Sequence, residues 1–165
     1  MDYLWTPWRY QYIASARNDE QPDACILCRL PQLADPDAKI VYRGAYCYIV
    51  LNSFPYTSGH VMIVPFTHIA ELEKLPATDA QEIMSLSQRM ETVLRRVYSP
   101  HGINLGMNIG RAAGAGIAGH IHMHVLPRWV GDANFMTVAA ESRVLPEALE
   151  ITYTRIRSAI GDVAR

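Results

Sequence analysis

The sequence predicts an α+β fold with a mostly antiparallel sheet, one long helix and a C-terminal helix. Short apolar, β-prone runs recur between residues 40 and 65, separated by turn residues and not by helical segments. An apolar pattern with helical spacing follows over 78–97, two further strand patterns lie within 103–127, and a second helical pattern covers 149–160. The order β-β-β-α-β-β-α, with connections between strands that are mostly short, favours antiparallel pairing.

Composition predicts one globular domain. The chain has 165 residues, of which 50% are hydrophobic, and this is enough to build a single core. We divide it into an N-terminal extension (1–24), a core (25–135) and a C-terminal segment with a helix (136–165). The net charge of −1, without a long basic run, argues against a nucleic-acid-binding surface. A small polyphosphate needs only local positive groups, so the same charge is compatible with a nucleotide ligand.

The predicted location is the cytoplasm. No apolar run reaches the length of a membrane span, and the N-terminus lacks the pattern of a secretory signal. The three cysteines include a C-x-x-C pair, which is simplest to explain by reduced thiols. Aromatic residues are dense near the N-terminus, and we expect them to pack across the domain or against a second subunit. They are Tyr3, Trp5, Trp8, Tyr10 and Tyr12.

The first three strands form a predicted meander. Ile40–Tyr42 and Ala45–Leu51 are apolar runs separated by Arg43-Gly44, which predicts a hairpin. A loop rich in Pro, Ser and Gly covers 52–59, and His60–Pro65 is the next predicted strand. Together these segments suggest an antiparallel meander.

Two helices are predicted from apolar spacing. Thr78 and Gln81 form a possible capping box, with Thr78 as the N-cap, and Ser99-Pro100 ends the helix. The C-terminal helix begins near Pro146 and ends at Gly161. The expected buried stripe of the long helix consists of Ile83, Leu86, Met90, Val93, Leu94 and Val97.

Half of the six histidines lie in one five-residue stretch. His120, His122 and His124 alternate with apolar residues, which predicts that Gly119–Pro127 is a half-buried strand with the three rings on one face, about 7 Å apart. Three interpretations compete: a chance cluster on a solvated face, a metal site, and nucleophilic catalysis. A packed core would have to give each buried ring a polar partner, which disfavours a purely structural row.

A loop rich in glycine and alanine precedes the histidines. It runs over 108–119 and contains Gly114, Gly116 and Gly119, so its backbone N–H groups can approach an anion closely. Such a loop is usually a flexible connection. Because it leads directly into three histidines, it suggests a phosphate placed against an imidazole.

The triad motif resembles that of a known family. H-φ-H-φ-H-φ-φ, here residues 120–126, is the signature of the histidine-triad (HIT) superfamily of nucleotide hydrolases and transferases. The resemblance extends from Cys25 to about Phe135 and includes residues 51–55, 59–65 and 127–135. The last of these segments, together with Trp5-Thr6-Pro7, is most similar to the bacterial diadenosine-tetraphosphate (Ap4A) phosphorylase branch. The resemblance implies a HIT-like fold, and a homodimer formed through the long helix and a shared sheet.

Roles for the site residues follow from the motif and the resemblance. His122, the central ring, is the expected nucleophile, attacking the α-phosphorus of a dinucleoside polyphosphate to give a nucleotidyl-His122 intermediate. His124 would bond the phosphoryl oxygens or the leaving group. The resemblance places His60 beside the phosphate and Asn52 at the ribose. Water or inorganic phosphate would resolve the intermediate.

The C-x-x-C pair has more than one interpretation. Cys25 and Cys28 could be two small buried residues, a zinc knuckle or, less favoured, a redox pair. The HIT resemblance implies that His68 and His120 complete a structural zinc site. Cys47 lies within a strand pattern, which predicts an inert core residue.

The glycine loop departs from the common HIT pattern. Gly116 and Ile117 stand where many HIT hydrolases have Gln and then Ser or Thr, so backbone amides or Asn108 must bond the phosphate. Trp129 and Phe135 could contact the base or pack in the core. The alternatives to Ap4A cleavage are an adenosine phosphoramidase, a non-enzymatic zinc-stabilised nucleotide-binding module, and a metal hydrolase with the triad as ligands. No organic cofactor is expected.

Overall fold

The computed structural model describes Asp23, residues 25–132 and residues 147–163. Predictions for the aromatic residues of the N-terminal extension, for Phe135 and for a helix start at Pro146 lie outside the described residues. The division of the chain into extension, core and C-terminal segment stays a prediction.

The order of long elements is the predicted one, with two additional short helices before the sheet. The helices are α1 (Ile26–Arg29), α2 (Asp35–Ala38), α3 (Ala77–Tyr98) and α4 (Leu149–Val163). The strands are β1 (Ile40–Arg43), β2 (Cys47–Leu51), β3 (Val61–Pro65), β4 (Gly102–Gly106) and β5 (Met123–Arg128).

The five strands form one antiparallel sheet in the order β1-β2-β3-β5-β4. The first three strands are a meander, as predicted, and β5 then inserts between β3 and β4. Both long helices lie outside the sheet, with α3 packed against β3 and β5 and α4 against β1. The prediction of an α+β fold with a mostly antiparallel sheet is confirmed.

Every residue of β2 and of β3 is buried, because each face of the sheet has its own apolar cover. One face carries the larger core, which includes the buried stripe of α3. Tyr48, Val50 and Met62 point to the opposite face, where they pack with Cys25 and Leu27. Period-2 alternation therefore divides each strand between two cores, and the segment before β1 covers the second one.

Strand register places the triad histidine of β5 on this second face. His124 pairs with Met62 of β3, and paired residues on adjacent strands project to the same side of a sheet. Val125 and Met123 have the opposite direction and belong to the larger core. The histidine site is thus formed on the sheet face that α3 does not cover.

The strand predicted over Gly119–Pro127 is right only from Met123 onward. Gly106 at the end of β4 pairs with His124, and the pairing of β3 with β5 begins at Met123, so the ladder ends there. Before it, the backbone N–H of Ile121 donates to Ile69 O at 2.7 Å instead of to a strand. The segment 119–122 is therefore held by loop contacts, which the alternating pattern could not reveal.

Helix α3 has the predicted buried stripe, but its predicted cap is wrong. Five of the six apolar residues are buried and Val97 is partly buried. The helix begins at Ala77, with Pro76 at the N-cap, and Thr78 Oγ1 donates to the Asp79 carboxylate and not to the backbone. A proline is tolerated at this entry because the first N–H groups of a helix have no partner inside the helix.

The C-terminal helix continues past its predicted stop. Gly161 lies inside α4, and a Cβ there would meet nothing within 4 Å. Glycine ends a helix where it adopts a positive φ, and Gly161 does not. Helical geometry at this exposed position costs about 1 kcal/mol relative to alanine, which the packing of α4 on α3 can offset.

Gly59 is a glycine that the fold requires. Its φ is +82°, and a Cβ would lie 2.8 Å from Cε2 of Tyr98 and 3.2 Å from Cγ of Pro127. We expect Gly59→Ala to lower the free energy of unfolding by about 2–3 kcal/mol, because the added Cβ combines an unfavourable φ with a steric clash. Denaturant unfolding measures this effect.

The matched control for this substitution is Gly102→Ala. Gly102 has no positive φ, and a Cβ would meet nothing within 4 Å. Its substitution is expected to change stability by about 0.5 kcal/mol or less. Equal stability of the two variants would contradict the requirement for glycine at residue 59.

Candidate functional site

Hydrogen bonding fixes the proton of His122 on one ring nitrogen. Nδ1 lies 2.8 Å from the backbone oxygen of His120, and a carbonyl oxygen can only accept. In the neutral ring Nδ1–H is therefore the donor, and Nε2 carries the lone pair. Among the residues that the structure describes, none is hydrogen-bonded to this Nε2. The residue as a whole is 4% exposed.

A chain of hydrogen bonds likewise fixes the proton of His124. The backbone N–H of Tyr56 donates to His60 Nδ1 at 3.1 Å, so this nitrogen is an acceptor. His60 Nε2–H must then donate to His124 Nδ1, 2.9 Å away. His124 consequently carries its own proton on Nε2. The His122 and His124 rings meet edge to face with centroids 4.8 Å apart, so the two imidazoles are direct neighbours.

Asn52 supports this chain. Its Oδ1 accepts from the backbone N–H of Phe54 at 2.9 Å, which leaves Nδ2 facing His60 Nδ1 at 3.4 Å. The side chain thus forms an Asx turn and adds a second donor to the acceptor nitrogen of His60. The ribose contact expected for Asn52 stays a prediction.

Both site imidazoles are held neutral. Burial, and secondarily the neighbouring His122, lower the pKa of His124 to about 4. Burial also lowers the pKa of His122, against the opposing effect of its bond to the His120 carbonyl. Protonation of either ring would place a positive charge in a buried position without an anion to pair with it. At neutral pH the site therefore offers uncharged nitrogens with assigned protons.

This electrostatic state predicts a pH response. Free imidazole has a pKa near 6.5, so lowering the pH from 6.5 towards 4 should protonate His124 in the unfolded chain and leave it neutral in the folded one. Folding stability should accordingly fall with pH across this window and be independent of this group above it. The ring ¹⁵N shifts of His124 should remain those of a neutral ring at pH 5.5. Titration near 6.5, as in the urea-unfolded chain, would contradict the prediction.

His120 belongs to a second site. Its Nδ1 lies 3.5 Å from Cys25 Sγ and 3.4 Å from Cys28 Sγ, while His68 Nδ1 lies 3.2 Å from Cys28 Sγ. The four predicted metal-ligating residues are thus brought together, with ligand atoms within 4.8 Å of one another. The expected row of three rings on one strand face is divided: His122 and His124 face each other, and His120 faces the thiols.

The cluster has the dimensions of a tetrahedral zinc site. Zn–S bonds of about 2.3 Å and Zn–N bonds of about 2.0–2.1 Å imply S···N separations of about 3.6 Å, close to those observed. His120 Nε2–H donates to Pro65 O at 2.9 Å, which turns the lone pair of Nδ1 towards the thiols. Hydrogen bonds of this kind orient imidazole ligands at metal sites.

The charges in the cluster also favour a cation. Burial, followed by the adjacent Cys25, raises the pKa of Cys28 to about 12, so this thiol holds its proton when no cation is near. Burial lowers the pKa of His120 to about 4, so this ring is neutral and can act as a ligand. A divalent cation would stabilise the Cys28 thiolate that burial opposes. The residues present therefore fit zinc.

The glycine loop turns sharply before it reaches the histidines. Gly110 and Gly114 have φ of +81° and +88°, and they bracket a one-turn 3₁₀ helix (Arg111–Ala113). Asn108 Nδ2 donates to Gly114 O at 3.5 Å, which closes the turn. Gly114, Gly116 and Gly119 are partly buried. Their expected contacts with phosphate stay predictions, as does that of Asn108.

Two aromatic residues lie in or near the site. The ring of Trp129 packs edge to face against Tyr98, 6.3 Å away, and its base contact stays a prediction. Tyr56 was not singled out from the sequence, yet its ring lies 4.7 Å from His60 and 5.9 Å from His124. An aromatic residue four positions before a site histidine was the available signal.

Known proteins are similar to this chain in sequence and in fold. AP-4-A phosphorylase of Mycobacterium tuberculosis is 42% identical over 154 residues, which cover 90% of this chain and 79% of that protein. Bis(5'-adenosyl)-triphosphatase of Saccharomyces cerevisiae is 30% identical over 99 residues, or 57% of this chain and 48% of that protein. The crystal structure of a Zn-bound histidine triad family protein from Mycobacterium smegmatis matches with a TM-score of 0.71 and 26% identity, covering 87% of this chain and 98% of that one.

The family assignment follows from the length and content of the matched region. Residues 34–130 match the model of the HIT domain, and this region contains all five strands and the three triad histidines. More than half of the chain is covered, and the solved relative supplies the same fold. The chain therefore belongs to the HIT domain family.

Proposed function

We propose that the chain is an enzyme that cleaves dinucleoside polyphosphates of the Ap4A type at the α-phosphorus. The reaction passes through a nucleotidyl-His122 intermediate, with inorganic phosphate or water as the acceptor. One observation carries the proposal: the His120 carbonyl holds the proton of His122 on Nδ1, which leaves Nε2 with a lone pair and no partner among the described residues. A neutral nucleophile can approach an anionic phosphate without charge repulsion.

The first step needs no further proton carrier. Nε2 of His122 forms a bond to the α-phosphorus while the bond to the bridging oxygen breaks, and the remaining polyphosphate leaves as an anion. The ring becomes a cation that keeps its Nδ1–H bond to the His120 carbonyl. The Nε2–H group of His124 can hydrogen-bond the charge that develops on the oxygens.

In the second step the acceptor resolves the intermediate. An oxygen of phosphate or water bonds to phosphorus, the P–N bond breaks, and the electron pair returns to Nε2 of His122. An anionic phosphate oxygen has no proton to lose, whereas an attacking water releases one proton to the solvent. The reaction is thus divided into two displacements, and each has a good leaving group: the polyphosphate in the first and the imidazole of His122 in the second. Backbone N–H groups of residues 114–119 are proposed to bind the non-bridging oxygens in both steps.

The protonation state of His124 favours a polyphosphate over a phosphoramidate. A polyphosphate leaves as a stable anion, whereas the amine of a phosphoramidate needs a proton as it leaves. His124 is neutral because burial keeps its pKa near 4, so it is a weak acid. The named relatives, a phosphorylase and a triphosphatase of dinucleoside polyphosphates, support the same choice.

Arg111 is a candidate contact for the distal phosphates. The site histidines are neutral, whereas Arg111 is an exposed cation in the loop that leads to them. We expect Arg111→Gln to raise KM for Ap4A about tenfold, and to change KM for adenosine phosphoramidate, which lacks distal phosphates, less than twofold. Arg29→Gln, an exposed cation on α1, is the control. Equal changes for both substrates would contradict this role.

Nucleotide analysis tests the proposed function. The protein is incubated with Ap4A, with and without inorganic phosphate, and with adenosine phosphoramidate in parallel. ADP and ATP formed only with phosphate establish phosphorolysis, and AMP and ATP establish hydrolysis. Preferential release of AMP from the phosphoramidate would overturn the substrate assignment. Binding of Ap4A without any cleavage would leave only the nucleotide-binding module.

We also propose that the Cys25–Cys28–His68–His120 cluster holds a structural zinc ion. The ligand distances, the pKa of Cys28 and the Zn-bound relative from Mycobacterium smegmatis support this. Bound zinc supplies charge neutralisation for two thiolates and joins three chain segments. His122 and His124 are not members of the cluster, which argues against a metal hydrolase that uses the whole triad as ligands.

A homodimer and a cytoplasmic location stay predictions. Support for the dimer comes from β4, which is an edge strand with Leu105 exposed, and from Met84, which is exposed on α3. Exposed edges and apolar side chains commonly mark association surfaces. In the described part of the chain, no helix combines the length and apolar character that a membrane span requires.

A further inference from the structure

We propose that the Cys/His cluster positions the nucleophile, and that His120 is the residue that transmits this effect. The ring of His120 faces the two thiols, and its backbone carbonyl is the acceptor that fixes the proton of His122. Metal occupancy would thereby control whether Nε2 of His122 is free to attack. The inference rests on the proposed function in one respect, because it takes His122 as the nucleophile.

Both sides of the His120 ring are engaged. Nε2–H donates to Pro65 O at 2.9 Å, and Nδ1 lies 3.5 Å from Cys25 Sγ and 3.4 Å from Cys28 Sγ. The residue has no exposed surface. With a metal ion bound to Nδ1, neither rotation nor translation of the ring is possible without breaking one of these contacts.

Strand pairing does not hold the backbone around His120. The sheet ladder begins at Met123, so residues 119–122 lie outside it. The following residue is held by its backbone hydrogen bond to Ile69 O and by burial of the Ile121 side chain in the larger core. The side-chain cluster is the anchor of His120 itself, whose backbone oxygen accepts from His122.

Displacement of that oxygen would change the chemistry of His122. The ring and the carbonyl of His120 share one Cα, so movement of the ring shifts the carbonyl as well. Without this acceptor the Nδ1–H tautomer of His122 is no longer favoured by a hydrogen bond, and the tautomer with the proton on Nε2 becomes populated. A protonated Nε2 has no lone pair for phosphorus.

The cluster can transmit this effect because it joins distant parts of the chain. Cys25 and Cys28 precede β1, His68 follows β3, and His120 precedes β5. Loss of one ligand far from His120 in sequence should therefore be detectable at His122. His68 is the most informative position, because it contacts the cluster but not the nucleophile.

The experiment compares His68→Ala, His68→Cys and Tyr48→Phe with the parent protein. His68→Cys offers a thiolate and rebuilds a Cys3His set, which is a common zinc site. Tyr48→Phe is the matched control, because it removes a buried hydrogen bond to Leu27 O beside the cluster without removing a ligand. For each protein we measure zinc content, the ring ¹⁵N shifts of His122, the rate of nucleotidyl-enzyme formation in a single turnover, and affinity for a non-hydrolysable Ap4A analogue.

We expect His68→Ala to lose zinc, to show both tautomers of His122, and to form the nucleotidyl intermediate about 10- to 100-fold more slowly. Affinity for the analogue should change less than about threefold. His68→Cys should restore zinc, the single tautomer and most of the rate, and Tyr48→Phe should change none of them. Should His68→Ala fail to fold, chelation of the parent protein followed by addition of Zn²⁺ measures the same signals.

Zinc-free, folded protein with unchanged His122 shifts and an unchanged rate would overturn the inference. Failure of the proposed function has a different signature. If the parent protein forms no nucleotidyl intermediate, the reaction assigned to His122 is wrong, while the ¹⁵N shifts still decide whether the cluster controls its tautomer.

Discussion

His122→Ala should abolish turnover of Ap4A, with a loss in kcat of about 10⁴-fold or more. The substitution removes the nitrogen that is proposed to bond phosphorus. The neighbouring His124 cannot replace it, because its lone pair accepts a hydrogen bond from His60. Nucleotide affinity should change only a few-fold, because the lost contact forms during the reaction. Steady-state kinetics, mass spectrometry of the acid-quenched enzyme and titration calorimetry measure the three quantities.

Two further variants make this result specific. His122→Asn keeps a donor for the His120 carbonyl but offers no comparable nucleophile, and it should be as inactive as His122→Ala. His101→Gln changes an exposed histidine whose Nδ1 accepts from the Val130 backbone, and it should retain activity. Turnover by His122→Asn within tenfold of the parent would rule out the covalent route.

The fold could be predicted because each helix and strand is indicated by several apolar residues at regular spacing. The stripe of α3 recurs over six apolar positions, and five are buried. The meander rests on short apolar runs that are bounded by turn residues, and its strands lie within about two residues of the predicted positions. Periodicity averages over many side chains, so single exceptions do not change the result.

Boundaries were harder to predict because each depends on a few local contacts. Thr78 had the right residue type for an N-cap, but its hydroxyl bonds the buried Asp79 carboxylate. Gly161 had the right type for a stop, but packing extends α4 beyond it. Alternation continued to His120, yet the ladder ended at Met123 because β4 ends at Gly106. In each case a tertiary contact outweighed a local preference.

The residues of the site were predicted from residue types, and its division into two parts was expected from the family resemblance alone. Spacing placed the three triad residues on one segment, and the side-chain contacts now show His120 facing thiols 92 and 95 residues away in sequence. The proton positions also depend on distant partners, such as the Tyr56 N–H group that makes His60 Nδ1 an acceptor. No pattern in the sequence carries that information.

Removal of a thiol from the cluster should have the second large effect, on stability. We expect Cys25→Ala to lower the free energy of unfolding in the presence of Zn²⁺ by at least about 3 kcal/mol. The ligands join three segments of the chain, so a bound ion stabilises the folded state over an unfolded chain that lacks the site. Denaturant unfolding with and without a chelator measures this contribution.

Cys47→Ala separates the effect of the metal from the effect of burial. Cys25 and Cys47 have equal burial, with no exposed surface, so truncation to alanine creates similar cavities at both positions. Cys47 lies in the larger core with Sγ near Asp79 O, and its loss should cost about 1 kcal/mol. Chelation should destabilise Cys47→Ala as strongly as the parent protein and leave Cys25→Ala unchanged, because only the former retains all four ligands. Two results together would contradict a metal site: equal losses of unfolding free energy in the two variants, and a parent protein whose stability the chelator does not change. The cluster would then stabilise the fold only through the packing of thiols and imidazoles.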